Sequence, residues 1–278
     1  MMIKKENEIE AISQGGKILA SILNKIAKMV KPGISSLELE KIAISEIEKA
    51  GGLPAFLNYP MGGNIFFPSA LCVSINEEVV HGAAYPERFF KQGDIVDLDI
   101  GMQWPVDKEL REKLNLPTNP HSDNGGFFTD TCLTVPVGKI STDLKKLLRV
   151  TRECLYAGID QARVGNRMND IARVIESHAE KHGYGVVRDL VGHGLGYQAH
   201  EEPEVFNFTI SEKSPENIEL KEGMIIAIEP MINLGTHKVD VAKNGYTIIT
   251  KDKLPSAHFE HTVCITKNGP KIITKLEE

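Results

Sequence analysis

Two aspartates and two glutamates stand in stretches otherwise suited to burial. In Gly93-Asp94-Ile95-Val96-Asp97-Leu98-Asp99-Ile100 the β-branched residues alternate with acids, which predicts a strand carrying Asp97 and Asp99 on one face. The run Gly223 to Ile232 is almost wholly apolar apart from Glu229. Phe127-Phe128-Thr129-Asp130-Thr131-Cys132 and His258-Phe259-Glu260-His261-Thr262-Val263-Cys264 also lead into β-branched stretches and carry Asp130 and Glu260. Asp99 and Glu229 are 130 residues apart, and so are Asp130 and Glu260. A single such acid is ordinarily a residue of a solvated strand edge. Four in register are harder to explain that way, because a carboxylate inside an apolar strand costs several kcal/mol unless it is paired or bound to a cation. Four negative charges held close together require several positive ones among them, and two divalent ions satisfy that requirement.

The histidines extend the pattern. Gly192-His193-Gly194-Leu195-Gly196-Tyr197-Gln198-Ala199-His200-Glu201-Glu202-Pro203 presents two imidazoles from a turn-rich segment whose glycines permit close backbone approach. A lone histidine in such a turn is more often a hydrogen-bonding residue, but beside four acids His193 is a plausible fifth ligand. His200-Glu201 does not start an H-E-x-x-H motif, since position 204 is Glu204, and Gly192, Gly194 and Gly196 do not match the spacing of a dinucleotide fingerprint. His81, following Asn76-Glu77-Glu78-Val79-Val80, could face the same cleft. Oxygen ligands with one or two imidazoles suit Mn, Fe, Co or Zn and leave the choice among them open.

The elements that must position these groups recur. Ile9 to Met29 has helical apolar spacing and ends at Lys31-Pro32-Gly33; Ser35 and Glu38 form a capping box ahead of a second helix, Leu37 to Ala50, stopped by Gly51-Gly52. After the midpoint come a helix over Asp143 to Arg163, closed near Gly165, and another over Met168 to His182, closed by Gly183. Gly33 and Gly165 are 132 residues apart, as are Gly51 and Gly183, while Gly93 and Gly223 before the two acidic strands are 130 apart. Helix, helix, then strands, twice, predicts one long duplication. The halves run over about 8–138 and 139–274 of a single domain spanning 1–278.

Composition limits the remaining possibilities. With 278 residues, 41% apolar and 25% charged, the chain can bury a large core. A net charge of −6, with Lys and Arg scattered, lacks the basic stripe of a nucleic-acid binder. The N-terminus alternates Lys and Glu without an apolar h-region, and no stretch of eighteen apolar residues occurs, which predicts a cytoplasmic protein with no membrane segment. Cys72, Cys132, Cys154 and Cys264 lack C-x-x-C spacing and read as reduced thiols.

Taken together, these residues resemble the type 1 methionine aminopeptidases, from about Glu8 to Thr274. The specific elements are Ser74-Ile75-Asn76-Glu77 leading to His81-Gly82, Asp97-Leu98-Asp99, Thr129-Asp130-Thr131, Gly192-His193-Gly194-Leu195-Gly196 with His200-Glu201-Glu202-Pro203, Ile228-Glu229-Pro230, and Phe259-Glu260-His261-Thr262. The resemblance implies an α+β pita-bread fold, with two pseudo-symmetric halves and a central antiparallel sheet backed by helices. It implies a dinuclear metallohydrolase that removes N-terminal methionine from nascent proteins or peptides with a small second residue. Asp99 would chelate one ion, His193 and Glu229 the other, and Asp130 and Glu260 would bridge both, so that a water is activated against a polarised carbonyl. Glu229 would accept the proton, and His81 and His200 would contact the substrate near the cleaved bond. Tyr59, Phe67 and Cys72 lie where the family builds its methionine pocket, though core packing explains such residues equally well. The implied partner is a peptide or nascent-chain N-terminus; the ribosome is a further candidate, and a monomer is the expected state.

The chain departs from the family pattern in places. Asp99 and Asp130 are 31 residues apart, much farther than in short family members, so about 102–126 reads as an insertion that contains Trp104 and projects into solvent. Ala199 stands where relatives often carry Phe, and Tyr246 where many carry Trp. The competing readings are a proline-specific aminopeptidase or prolidase, which usually has an added N-terminal domain, and a non-catalytic pita-bread binding protein, which would have lost ligands.

Overall fold

The computed structural model describes residues 3–275. In chain order it places α1 (Glu6–Ala27), α2 (Ser36–Lys49), β1 (Leu53–Pro54), β2 (Leu71–Ile75), β3 (Glu78–Val80), β4 (Ile95–Trp104), α3 (Lys108–Lys113) and β5 (Phe127–Pro136). There follow α4 (Thr142–Gln161), α5 (Met168–Lys181), β6 (Gly185–Val186), β7 (Gly192–Gly194), β8 (Glu201–Val205), β9 (Ile225–Ile228), β10 (Met231–Asn233), β11 (Val239–Val241), β12 (Ile248–Thr250), β13 (Ser256–Thr266) and β14 (Gly269–Ile272).

The helix starts follow local chemistry. Ser35 Oγ accepts the Glu38 amide at 3.2 Å while Glu38 Oε2 accepts the Ser35 amide at 2.9 Å, closing the expected capping box of α2. Gly33 and Gly165, Gly51 and Gly183, and Gly93 and Gly223 all adopt positive φ, so the punctuation recurs in conformation as well as in spacing. In the first half, Leu19, Leu23 and Ile26 of α1 and Leu39 and Ile47 of α2 pack on Val96, Leu98 and Ile100 of β4. In the second, Leu147 and Val150 of α4 and Ile171 and Ile175 of α5 pack on Ile226, Ile228, Val263 and Ile265. Each pair of helices thus covers one face of its own strands.

All the ladders are antiparallel, and the main sheet runs β1-β4-β5-β13-β9-β7-β8, with β5 against β13 joining the halves. β4 is buried along its whole length, because Val96, Leu98 and Ile100 meet the helices while Asp97 and Asp99 face the opposite side.

Two expectations are corrected here. The apolar run through Ile232 is not one strand: Pro230, which cannot donate to a ladder, separates β9 from β10. The connection between β4 and β5 also differs. Trp104 is the last residue of β4, paired with Phe127, and donates its indole N–H to the Ala50 carbonyl at 2.8 Å. The residues that follow are mostly exposed, as expected, but the segment is anchored to the body of the protein. Buried Arg111 donates to the carbonyls of Pro105 and Asn124, each at 2.8 Å, and buried Asn119 donates to Gly126 and Tyr197 at 2.8 and 3.0 Å. Leu110 and Leu116 pack on the core, and the polar side chains add an anchorage that the sequence does not reveal, by satisfying carbonyls.

Candidate metal centre

Strand register builds the site. Cys72 lies opposite Asp99, Asp99 opposite Cys132, and Cys132 opposite Glu260. The pairs Ile228 with His261 and Met231 with His258 bracket Glu229-Pro230 against Phe259-Glu260, which sets Glu229 across from Glu260. One transverse row therefore carries Cys72, Asp99, Cys132, Glu260 and Glu229 on one face of the sheet. Asp130 is two residues from Cys132 on β5 and shares that face.

His193 enters from β7. A Cβ at Gly192 would collide with the Ala227 carbonyl oxygen, and one at Gly194 with that of Glu202, so only glycines let β7 lie this close to its neighbours. His193 Nδ1 donates to the Gly194 carbonyl at 2.9 Å, leaving Nε2 with its lone pair aimed at Glu229 Oε1, 3.5 Å away.

The donors gather in three overlapping groups, Asp99 with Asp130 and Glu260, His193 with Glu229 and Glu260, and Asp130 with His193 and His200, each with ligand atoms within 4.8 Å of one another. Asp99 Oδ1, Asp130 Oδ1 and Glu260 Oε1 are buried without a hydrogen-bond partner. Burial raises the Asp99 carboxyl to about 7; His258 opposes the shift, and Asp97 and Glu229 add to it. Asp130 is pushed well above the carboxylate range by burial and then by Glu260 and Asp99, and Glu260 by burial and then by Glu229 and Asp99. Buried acids with orphaned oxygens, unable to ionise together, are the donor set a divalent cation fits.

The same face opens into a cavity of ≈ 220 Å³ lined by the five expected ligands, by His81 and His200, and by Phe56, Tyr59, Met61, Phe67, Cys72 and Met231. All ten residues singled out in the sequence thus reach one cavity. His81 holds a positive φ of 58°, unusual for a residue with a side chain, and its carbonyl accepts the Thr247 hydroxyl at 2.9 Å. The His200 ring is 4.2 Å from that of His193 and 4.9 Å from that of Tyr59, and the residue is exposed. Burial lowers both His81 and His200, the latter with help from His193 and His81, which keeps the rings neutral at ordinary pH. The Cys72 thiol is driven well above its usual value by burial and then by Asp99, so it lines the cavity as an apolar group. Tyr246 stands behind the cavity, edge-on to Phe67 at 5.6 Å.

Sequence reasoning assigned no role to His258, buried at 2% exposure between Asp97 and Glu229. The signal was present: His258 precedes Glu260 by two residues in a strand, as Asp97 precedes Asp99, so each shares its neighbour's face.

The sequence profile of metallopeptidase family M24 matches residues 10–106 and 118–267, passing over a stretch that lies in the loop around α3. The methionine aminopeptidase of Clostridium acetobutylicum is 39% identical over 277 residues, covering 100% of both chains. The crystal structure of a methionine aminopeptidase from Thermotoga maritima superposes with a TM-score of 0.86 at 36% identity, covering 99% of each chain. A prolidase from Pyrococcus horikoshii, at 21% identity and a TM-score of 0.72, shares the pita-bread fold, but the match covers only 64% of that longer chain. With its helix pairs, its antiparallel sheet and its full-length likeness to methionine aminopeptidases, the chain belongs to metallopeptidase family M24.

Proposed function

We propose that the chain is an aminopeptidase that hydrolyses the bond after an N-terminal methionine, on nascent proteins or peptides with a small second residue. The observation that carries this reading is a single cavity lined both by the carboxylate and imidazole cluster and by the apolar group of Phe56, Phe67 and Cys72. An apolar recess beside a cation site suits a substrate whose unbranched thioether side chain must be buried next to the bond being cut.

Two divalent ions, drawn from Co, Mn, Fe and Zn, would be held with Asp99 on one, His193 and Glu229 on the other, and Asp130 and Glu260 shared. When bound they supply Lewis-acid polarisation of the peptide carbonyl and lower the pKa of a water. The side chains do the rest. Glu229 accepts the proton released from the attacking water. His81 and His200, neutral and lining the cleft, hydrogen-bond the substrate amide, and the proton taken up by Glu229 is the one passed to the departing nitrogen. Tyr59, Phe67 and Cys72 exclude water from the methionine side chain.

The chain acts as one catalytic domain of two pseudo-symmetric halves, 8–138 and 139–274, with the 102–126 connection packed against it. Among the described residues no helix is long and apolar enough to cross a membrane; the proposed site of action is the cytoplasm. The ribosome is a candidate place of encounter with substrate, and the protein is expected to act as a monomer.

Incubation of metal-loaded protein with Met-Ala-Ser and with Ala-Pro-containing peptides tests this. Release of methionine from the first is expected. Release of residues only ahead of proline would overturn the substrate assignment in favour of a prolidase-like enzyme, and no release from either peptide would favour a binding protein.

A further inference from the structure

Beneath the ligand row, one pleat along the strands, lies a second row. Asp97 pairs with Thr134 across β4 and β5, and Met231 pairs with His258 across β10 and β13. The Thr134 hydroxyl donates to the His258 carbonyl at 2.8 Å and accepts its amide at 2.9 Å, and it stands 3.3 Å from Asp97 Oδ1. Asp97 and His258 are 3% and 2% exposed, so each must find its partners inside the protein.

His258 faces a carboxylate on either side. Its Nδ1 is 3.5 Å from Asp97 Oδ2, and its Nε2 is 3.5 Å from Glu229 Oε2. The other oxygen of Glu229, Oε1, is the one that faces His193 Nε2 at 3.5 Å. A carboxylate on one side chain can rotate about its last torsion, and a donor fixed behind one oxygen decides where the other points. The clamp from Thr134 on both backbone groups of His258 keeps that donor from shifting along β13.

We propose that His258 is a positioning residue: braced by Asp97, it holds Oε2 of Glu229 so that Oε1 is presented, together with His193, to the cation. The inference rests on the ligand set proposed above. His258 itself lines the cavity beside the ligands, and the role assigned to it is exercised through Glu229. A second reading is that Asp97, Cys132 and His258, whose donor atoms also lie within 4.8 Å of one another, bind a cation of their own. Both imidazole nitrogens of His258 and Oδ2 of Asp97 are buried with no hydrogen-bond partner, and because each nitrogen is turned to a carboxylate at 3.5 Å, the brace is the arrangement we adopt.

The test is calorimetric titration of cobalt(II) into chelator-treated full-length protein, with the visible absorption spectrum of the cobalt form, for the wild type, His258→Gln, His258→Ala and Asp97→Asn. In His258→Gln an amide N–H can still reach Glu229, so affinity and spectrum should stay close to those of the wild type. In His258→Ala the apparent affinity should fall roughly 10–100-fold with a changed spectrum, and Asp97→Asn should lie between. Thermal melts in chelator establish folding; should His258→Ala fail to fold, the contrast of His258→Gln with Asp97→Asn decides. Equal affinities and spectra in all folded variants overturn the inference, as does a loss in His258→Gln as large as in His258→Ala. A third equivalent of cobalt in the wild type that disappears with His258 also overturns it. Failure of the wild type to take up cobalt would instead overturn the ligand set itself.

Discussion

Thr262 is bonded to both backbone groups of Asp130: its hydroxyl donates to the Asp130 carbonyl at 2.7 Å and accepts the Asp130 amide at 3.1 Å. The contact crosses from one half of the chain to the other and is fully buried. Thr262→Val keeps the shape but leaves both Asp130 groups without that partner, which should cost about 1–3 kcal/mol. Chemical denaturation of metal-free protein should show the loss, and Thr262→Ser should recover most of it. Stability equal to the wild type in Thr262→Val would show that the bonds contribute nothing.

Asp130 belongs to the group with Asp99 and Glu260 and lies within hydrogen-bonding reach of the other half through Thr262. Asp130→Ala should abolish both metal uptake and peptide turnover. Elemental analysis alongside a methionine-release assay on one purified sample measures both. Retained activity would remove the shared-ligand role.

Asp99 gives a pH dependence with a definite sign. Its carboxyl is raised from an ordinary 3.8 to about 7 in the folded protein without cation, chiefly by burial. A group raised in this way favours folding while it is protonated, so its contribution is fully present below pH 3.8 and is lost as the pH rises through about 7. Asp99→Asn escapes the loss. In chelator, its melting temperature relative to the wild type should therefore climb between those limits, by an amount worth a few kcal/mol. A difference that does not vary with pH would contradict the cause given.

The loop carrying His200 is fastened to the N-terminal segment. The Lys4 ammonium pairs with Glu201, with only 1% and 3% of the two side chains exposed, and Glu201 Oε2 also accepts the amides of Tyr197 and Gln198 at 3.2 Å. Lys4→Met strands a buried carboxylate, at a cost of about 3–5 kcal/mol, and should weaken peptide binding through His200. The double replacement Lys4→Met with Glu201→Gln should be milder. Melting curves and KM for Met-Ala-Ser read the two effects, and a double variant as damaged as the single would argue against the buried-charge explanation.

Much of this was legible in the chain itself. The capping box at Ser35 and Glu38 and the glycine punctuation are local chemistry, visible over a few residues. The acids Asp99, Asp130, Glu229 and Glu260 were visible because burial is costly for them, so their presence in apolar runs already asked for a cation. The anchored loop after Trp104 was not legible, since Arg111 and Asn119 are fastened by carbonyls that lie elsewhere in space, and residue types do not announce which carbonyl they will meet. His258 escaped for a similar reason: period-two spacing sets its face, but only the register of β13 against β10 and β5 brings it between Asp97 and Glu229. The break at Pro230 could have been read, because proline in a strand run always leaves a missing donor.

The transverse row has a consequence for how the protein comes into being. Its members lie on strands separated by long stretches of chain, from Cys72 on β2 to Glu260 on β13. Without β13 in place the proposed ligand set is incomplete, and such distant contacts form late. The centre is therefore assembled only once β13 has docked between β5 and β9, and a chain with β13 still undocked is inert however well its helices have formed.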